Sequence, residues 1–282
     1  VNQYISSALL SYARREHVDL AGKTIGIVGV GQVGSRIAKT CEILGMNVLL
    51  NDPPRERAEG SSRFVSIETI REQSDFISFH VPLNRQGIDK TFHMVDQAFI
   101  QDLRRKPFIM NTCRGEVFET QAVRNAREKN DLSGMVIDCW EFEPDIDLDL
   151  LNLVDYGTSH IAGYSKDGKA NGTTSSVRAI SKFFGLGIDE WEPSGVDAPD
   201  SSIIELDGNN RTEQAILADA ILATYLIEAD DEALRSSTHL FEQLRGDYPV
   251  RREFNFYSIR ARNVEAEVKQ KLKNLGFTLI ES

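Results

Sequence analysis

Thr24-Ile25-Gly26-Ile27-Val28-Gly29-Val30-Gly31-Gln32-Val33-Gly34 opens as a short apolar, β-branched run and closes on three spaced glycines. Such a run suits a buried strand. The residues that follow (Ile37, Ala38, Cys41 and Leu44) recur at helical spacing. The G-x-G-x-x-G at Gly29, Gly31 and Gly34 therefore reads as a strand-to-helix turn. Gly29 permits the tight turn, Gly31 lets a pyrophosphate approach the backbone, and Gly34 lets helix and strand pack closely. The amides of Gln32 and Val33 would point at that pyrophosphate from the helix N-terminus. An ordinary glycine-rich turn would look the same up to this point. A second strand, Asn47-Val48-Leu49-Leu50-Asn51, separates the readings because it ends in Asp52. A carboxylate there accepts hydrogen bonds from ribose hydroxyls and repels a 2′-phosphate, so the expected cofactor is NAD and not NADP.

Working outward, apolar runs near 24–30, 46–51, 75–80, 107–111, 133–138 and 156–159 alternate with amphipathic stretches. That alternation predicts an α/β fold with a doubly wound parallel sheet of the Rossmann kind over 17–160. Residues 1–16 read as a preceding helix, with Tyr4, Ile5, Ala8, Leu9 and Tyr12 on one face. A helix over 166–184, entered through Gly168 and left through Gly185, dominates the segment 161–190. Gly187, Pro193, Gly195 and Pro199 then mark a linker.

Residues 191–282 read as a separate small α/β unit. Strands are expected near 202–206, 256–260 and 277–280, with helices over 212–227 and 263–274 and a polar helical region between 227 and the second strand. No histidines, cysteines or paired acids cluster there, so the expected role is interaction or dimerisation. The 212–227 helix carries Ala215, Ile216, Leu222, Tyr225 and Leu226, more apolar surface than one small sheet face covers. This predicts a homodimer paired across a two-fold axis.

Three stretches behind the glycine turn carry chemistry. They are Asn111-Thr112-Cys113-Arg114-Gly115, Asp138-Cys139-Trp140-Glu141-Phe142-Glu143-Pro144, and Ser159-His160-Ile161-Ala162-Gly163-Tyr164. An arginine forks onto a carboxylate with two charge-assisted hydrogen bonds. A histidine takes a hydroxyl proton as hydride leaves the carbon, and a carboxylate behind it orients the ring. Arg114, Glu143 and His160 thus suit oxidation of a 2-hydroxy acid, and all three follow predicted strand ends, where such sheets bind ligands.

Composition excludes several alternatives. The 282 residues carry a formal net charge of −11, which argues against nucleic acid or an anionic membrane as partner. No apolar run approaches the length of a membrane span, and nothing resembles a signal peptide, so a cytoplasmic protein is expected. Cys41, Cys113 and Cys139 form no spaced framework and read as reduced thiols, with no metal site. His17, His80, His93 and His239 stand isolated, and the acidic run 145–155 reads as a solvated face. Lys166 and Lys169 read as surface lysines of a helix. Glu141, two residues before Glu143, is the rival partner for His160, and the choice between them falls to the motif match of Glu143-Pro144 in the resemblance that follows.

With His80-Val81-Pro82-Leu83 added, the ordered set of motifs resembles the D-isomer-specific 2-hydroxyacid dehydrogenases. Gly157 to Tyr164, Gly168-Lys169-Ala170 and Gly172-Thr173-Thr174 are similar to a branch of that family that acts on a phosphorylated 2-hydroxy acid on the way to pyridoxal phosphate. The resemblance implies that Arg114 holds the substrate carboxylate and that His160, partnered by Glu143, exchanges the proton. It also implies that Asp138 binds the nicotinamide carboxamide, that Val81 and Gly163 contact the cofactor, and that Tyr164 reaches the substrate. Members of the family carry a further lobe ahead of the helix that opens this chain. The 282 residues alone are accordingly expected to bind NAD and to turn over substrate slowly. Two other functions stay open at this level: a sister enzyme acting on phosphoglycerate, glycerate or hydroxypyruvate, and a non-enzymatic NAD(H)-sensing scaffold.

Overall fold

The computed structural model describes residues 1–193 and 202–281. The chain divides into two units, Val1–Ile161 with Leu226–Asp247, and Ala162–Tyr225 with Tyr248–Ser282. The first unit begins with α1 (Asn2–Glu16), β1 (Thr24–Val28), α2 (Gln32–Ile43), β2 (Asn47–Asn51), α3 (Pro53–Glu59), α4 (Ile67–Gln73) and β3 (Phe76–Phe79). It continues through α5 (Gln97–Gln101), β4 (Phe108–Asn111), α6 (Thr120–Glu128), β5 (Gly134–Ile137), α7 (Leu148–Leu153) and β6 (Tyr156–Gly157). The second unit takes α8 (Lys166–Phe184), β7 (Ile203–Asp207) and α9 (Glu213–Leu222). The chain then returns to the first unit for α10 (Ile227–Ser236) and α11 (Phe241–Gly246). It closes the second with β8 (Ser258–Arg262), α12 (Ala266–Leu275) and β9 (Thr278–Ile280).

In the first unit six strands pair, all parallel, in the order β2-β1-β3-β4-β5-β6. Every residue of β3, β4 and β5 is buried, as a covered parallel sheet requires. The chain leaves β1 for β2 and returns on the other side of β1 as β3. The switch point, where open α/β sheets bind ligands beyond their strand carboxyl ends, thus lies between β1 and β3. The doubly wound sheet expected from the apolar alternation is the one formed.

α1 belongs to this sheet's own core. Residues from Gln3 to Ala13 are all buried, and the helix packs on α2 and α10. Two of its hydroxyls find partners on other elements. Tyr4 Oη meets Thr158 Oγ1 at 2.7 Å, and Ser7 Oγ accepts from the Ile227 amide at 3.1 Å.

Residues 226–247 correct the expected layout, which placed them as a polar region of the C-terminal unit. Leu234 and Phe241 are buried in the first unit's hydrophobic cluster. Arg235 donates to the carbonyls of Leu151 (2.7 Å) and Val154 (3.0 Å) at the end of α7, and Asp231 accepts from the Gly157 amide at 2.7 Å. These carbonyls are among those a helix terminus leaves without internal donors, so the polar side chains of α10 find partners there while Leu234 joins the core. The acidic run also differs from expectation. Asp147 caps α7 through the Leu150 amide, and Asp155, largely buried, accepts from the Met135 amide at 2.7 Å.

In the second unit β7, β8 and β9 form a parallel sheet, with α9 and α12 packed on each other and against it. α9 stops at Leu222, short of the expected 227, and Phe254–Phe256 form a 3-10 turn before β8 starts at Ser258. α8 runs as expected, with Ser165 as its cap and Gly185 leaving it at φ +65°. Gly187 and Pro193 of the expected linker follow; Gly195 and Pro199 lie outside the described residues. Two arginines anchor the 248–256 segment inside this unit. Arg252, fully buried, grips Asp167 at 2.9–3.2 Å and lies 3.4 Å from the Phe256 ring centroid. Arg251 donates to the Ala162 carbonyl at 2.8 Å and sits over the Tyr225 ring.

The apolar stripe of α9 does not face outward. Ile216 and Leu222, with Tyr225 beyond the helix end, are buried within the chain. The large apolar side chains that stay exposed around the end of α8 are Ile180, Phe183, Phe184 and Leu186.

Candidate active site

At Gly29 and Gly34 the glycine turn has the backbone its spacing predicts. Gly29 adopts φ +90°, and a Cβ there would lie 2.6 Å from the His80 carbonyl oxygen. A Cβ at Gly34 would lie 2.0 Å from the Gly29 oxygen. Gly31 differs, since a Cβ there would meet no protein atom within 4 Å. Among the described residues nothing crowds that position, and the open space there suits close approach of a pyrophosphate. α2 starts at Gln32 without a side-chain cap or an acidic residue in its first turn, so its leading amides, those of Gln32 and Val33 included, suit an anion. Asp52 stands beside this turn. Its Oδ2 accepts from the Val30 amide at 2.8 Å, and its Oδ1 caps α3 through the Arg55 amide at 3.1 Å. The carboxylate is thereby fixed at the end of β2 with acceptor capacity left for ribose hydroxyls.

Beyond β3, His80 is held between Ser78 (2.8 Å) and Thr112 (3.3 Å). Burial pushes its pKa down to about 3, so it is neutral at ordinary pH. It ties strand ends together, and Val81 follows it at the edge of the Gly29 turn.

Arg114, Glu143 and His160 line one cleft of about 550 Å³, with Arg85, Phe92 and Glu116 among its other walls. Asn111, at the end of β4, builds the loop that presents Arg114. Its amide donates to the carbonyls of Arg114 (3.0 Å) and Cys139 (3.3 Å), while its carbonyl accepts from the Cys113 amide at 3.1 Å. The sequence shows an asparagine in that motif but no role for it. The Arg114 guanidinium is exposed and donates once, to the Cys113 carbonyl at 2.6 Å, which leaves most of its fork for a carboxylate. Gly115 follows because a Cβ there would lie 1.9 Å from the Trp140 carbonyl oxygen.

Glu143, not Glu141, is the partner of His160. Its Oε2 lies 2.8 Å from Nδ1, and its Oε1 accepts from the Trp140 amide at 2.6 Å. With Nδ1 engaged, Nε2 is the nitrogen available to a substrate hydroxyl. Asp138 Oδ1 accepts from Thr158 Oγ1 and the Ile161 amide, both at 2.7 Å. It therefore fixes both ends of the 158–161 stretch that carries His160. Cys139 Sγ, Glu143 and His160 offer ligand atoms within 4.8 Å of one another. The Glu143–His160 hydrogen bond accounts for that closeness, and burial pushes the Cys139 thiol well above its ordinary value. Cys41 and Cys113 are likewise buried and free, with burial raising their thiols to about 12 and about 11.

Gly163 and Tyr164 belong to the second unit. There Lys169 Nζ lies 3.9 Å from the Tyr164 ring centroid, and Tyr248 meets that ring edge-on. Lys169 therefore has an aromatic partner, which its reading as a plain surface lysine did not anticipate.

Residues 3–162 match the family model described as D-isomer specific 2-hydroxyacid dehydrogenase, NAD binding domain. The chain belongs to the D-isomer-specific 2-hydroxyacid dehydrogenase family. It is an NAD-dependent dehydrogenase. Residues 198–276 match a second model, a domain of unknown function. Relatives named erythronate-4-phosphate dehydrogenase include one from Bacteroides fragilis (strain ATCC 25285), 47% identical over 259 residues, covering 92% of this chain and 72% of the relative. Another, from Porphyromonas gingivalis (strain W83), is 40% identical with 92% and 70% covered, and one from Photorhabdus laumondii is 38% identical with 99% and 74% covered. Among solved structures, D-lactate dehydrogenase from Aquifex aeolicus, complexed with NAD and lactic acid, matches with a TM-score of 0.54 at 24% identity. That match covers 70% of this chain and 71% of the other, and it shows that this 2-hydroxyacid dehydrogenase shares the fold. Among the described residues no helix is long and apolar enough to cross a membrane.

Proposed function

We propose that this dehydrogenase oxidises 4-phospho-D-erythronate at C2, giving 2-oxo-3-hydroxy-4-phosphobutanoate, NADH and a proton, a step toward pyridoxal phosphate. The observation that carries the reading is the Glu143–His160 pair at 2.8 Å, opening on the same cleft as the Arg114 guanidinium. The relatives' shared name supplies the substrate.

NAD, when bound, supplies the hydride acceptor. Gly29, Gly31, Gln32, Val33 and Gly34 would hold its pyrophosphate and Asp52 its adenine ribose, with Val81 and Asp138 at the nicotinamide end. Arg114 forks onto the substrate carboxylate and draws charge toward the C2 oxygen. His160 Nε2 accepts the C2 hydroxyl proton as the C–H bond breaks, and Glu143 stabilises the imidazolium that forms. The family resemblance assigns Gly163 to the cofactor and Tyr164 to the substrate, and these assignments belong to the same proposal.

The test is NADH formation against a panel containing 4-phosphoerythronate, erythronate, 3-phosphoglycerate and glycerate, with NAD and NADP in separate runs. The highest kcat/KM is expected for 4-phosphoerythronate with NAD, since Asp52 disfavours the 2′-phosphate of NADP. A maximum on phosphoglycerate or glycerate would place the enzyme in a sister branch, and NADH binding with no turnover of any acid, not even the slow turnover expected of these 282 residues, would favour a sensing scaffold.

Assembly into a homodimer is part of the proposal. The exposed Phe183, Phe184 and Leu186 around the end of α8 support it, since clustered large apolar side chains mark association surfaces. Light scattering is expected to report twice the chain mass of 31.6 kDa; the single-chain mass would remove the dimer.

A further inference from the structure

The turn that carries Glu143 holds two carboxylates two residues apart, and each engages a different histidine. Glu143 takes His160. Glu141 Oε1 lies 2.6 Å from His93 Nε2, and its Oε2 accepts from the Thr120 amide at 3.0 Å, at the start of α6. The Glu141 side chain is 8% exposed. Burial works to raise its carboxyl pKa, and the bonds from His93 and Thr120 outweigh it, so the group is held below its usual value.

His93 is placed with equal definition. Its backbone is left-handed at φ +52°, its amide donates to the Glu116 carbonyl at 2.7 Å, and its ring stacks on Phe92 with centroids 4.0 Å apart. Phe92 is a wall of the cleft. The charged groups around this stack are Arg85, 5.1 Å from the Phe92 ring centroid and paired with Glu116, and Lys90, 5.8 Å from the same centroid. A left-handed, stacked, hydrogen-bonded histidine persists only where its surroundings over-determine it. Gly115, next to Arg114, abuts the Trp140–Glu141 peptide.

We propose that His93 and Glu141 form a positioning pair, which pins the 140–144 turn between α6 and the cleft wall so that Glu143 meets His160 already aimed. The inference rests on the proposed role of His160 in proton exchange. The pair touches no reacting atom and acts through Glu143. A carboxylate that must orient a base in the transition state gains from being held before substrate arrives.

His93→Ala, His93→Gln and Glu141→Gln in the full chain test this with two readouts. One is the downfield imidazole N–H resonance of the His160–Glu143 hydrogen bond, observed by NMR without substrate. The other is kcat against KM for 4-phosphoerythronate. His93→Ala is expected to broaden or move the resonance and to lower kcat about ten-fold, with a smaller change in KM for NAD. His93→Gln keeps a donor for Glu141 and is expected to restore most of both. If His93→Ala does not fold, Glu141→Gln is read by the same criteria. An unchanged His160 resonance and kcat in the alanine variant would overturn the proposal, leaving a pair that only adds stability. Equal loss in the alanine and glutamine variants with an unchanged resonance would also overturn it, since the imidazole would then act on substrate directly. If the wild type fails to oxidise 4-phosphoerythronate, the substrate reading fails, and the NMR arm still decides the positioning role.

Discussion

Replacing His160 with alanine is expected to cut turnover by about 10²–10⁴-fold while NADH binding stays near that of the wild type. The selectivity of the loss follows from where the side chain sits. Its Nδ1 is held by Glu143 at 2.8 Å, and the ring lines the cleft with Arg114. The glycine turn and Asp52, which would carry cofactor binding, lie at the ends of β1 and β2, and among the described residues no hydrogen bond joins them to His160. Removing the imidazole would therefore remove the proposed proton acceptor and leave the proposed pyrophosphate cradle intact. Stopped-flow turnover together with an NADH fluorescence titration separates the two effects. A variant that keeps turnover within a few-fold would dismiss His160 as the base, and one that loses NADH binding as well would place the residue at the cofactor.

Arg252→Met is expected to destabilise the second unit by about 3–5 kcal/mol, the range for a buried pair that loses one partner. Arg252 is 1% exposed and makes three contacts to Asp167 at 2.9–3.2 Å. Asp167 also accepts from the Glu253 amide at 2.8 Å, and its side chain is 9% exposed. Methionine fills similar volume and lies against Phe256, but it leaves the carboxylate buried without its cation. The second change, Asp167→Leu in the same chain, is expected to recover a large part of the loss, because buried pairs replaced together by apolar residues are often close to neutral. Urea unfolding of the single and double variants measures this. A loss under 1 kcal/mol for Arg252→Met would show that Asp167 is solvated in solution.

What could be read from the sequence, and what could not, divides along physical lines. The six parallel strands were legible because each is a short apolar run set off by polar turns. The glycine turn was legible because its spacing is distinctive and two of its positions, Gly29 and Gly34, need glycine for separate reasons. The preference for Glu143 over Glu141 rests on the Glu143-Pro144 match to the family motif, and the 2.8 Å contact to His160 agrees. The real partner of Glu141 lay 48 residues away at His93, a separation over which no local pattern carries information. The affiliation of α10 and α11 was hidden for a similar reason. Their periodicity says that they are helices and which face is apolar, not which sheet buries Leu234 and Phe241. The extra length expected for α9 came from an apolar stripe that continues through Tyr225 and Ile227, although the helix ends at Leu222 and the next one starts at Ile227. Phe256 and Tyr257 resembled the start of a strand because aromatic residues favour strands, whereas Phe254–Phe256 form a 3-10 turn and β8 begins only at Ser258.

The account stands on hydride transfer from C2 of the phosphorylated acid to NAD in the cleft of Arg114, Glu143 and His160. 4-Phospho-D-erythronate carrying deuterium at C2, incubated with the wild-type protein and NAD, tests this most directly, with the nicotinamide product read by mass spectrometry and NMR. One deuterium on C4 of the nicotinamide per keto acid formed is the predicted result. NADH formed without the label, or keto acid formed without reduction of NAD, would contradict it.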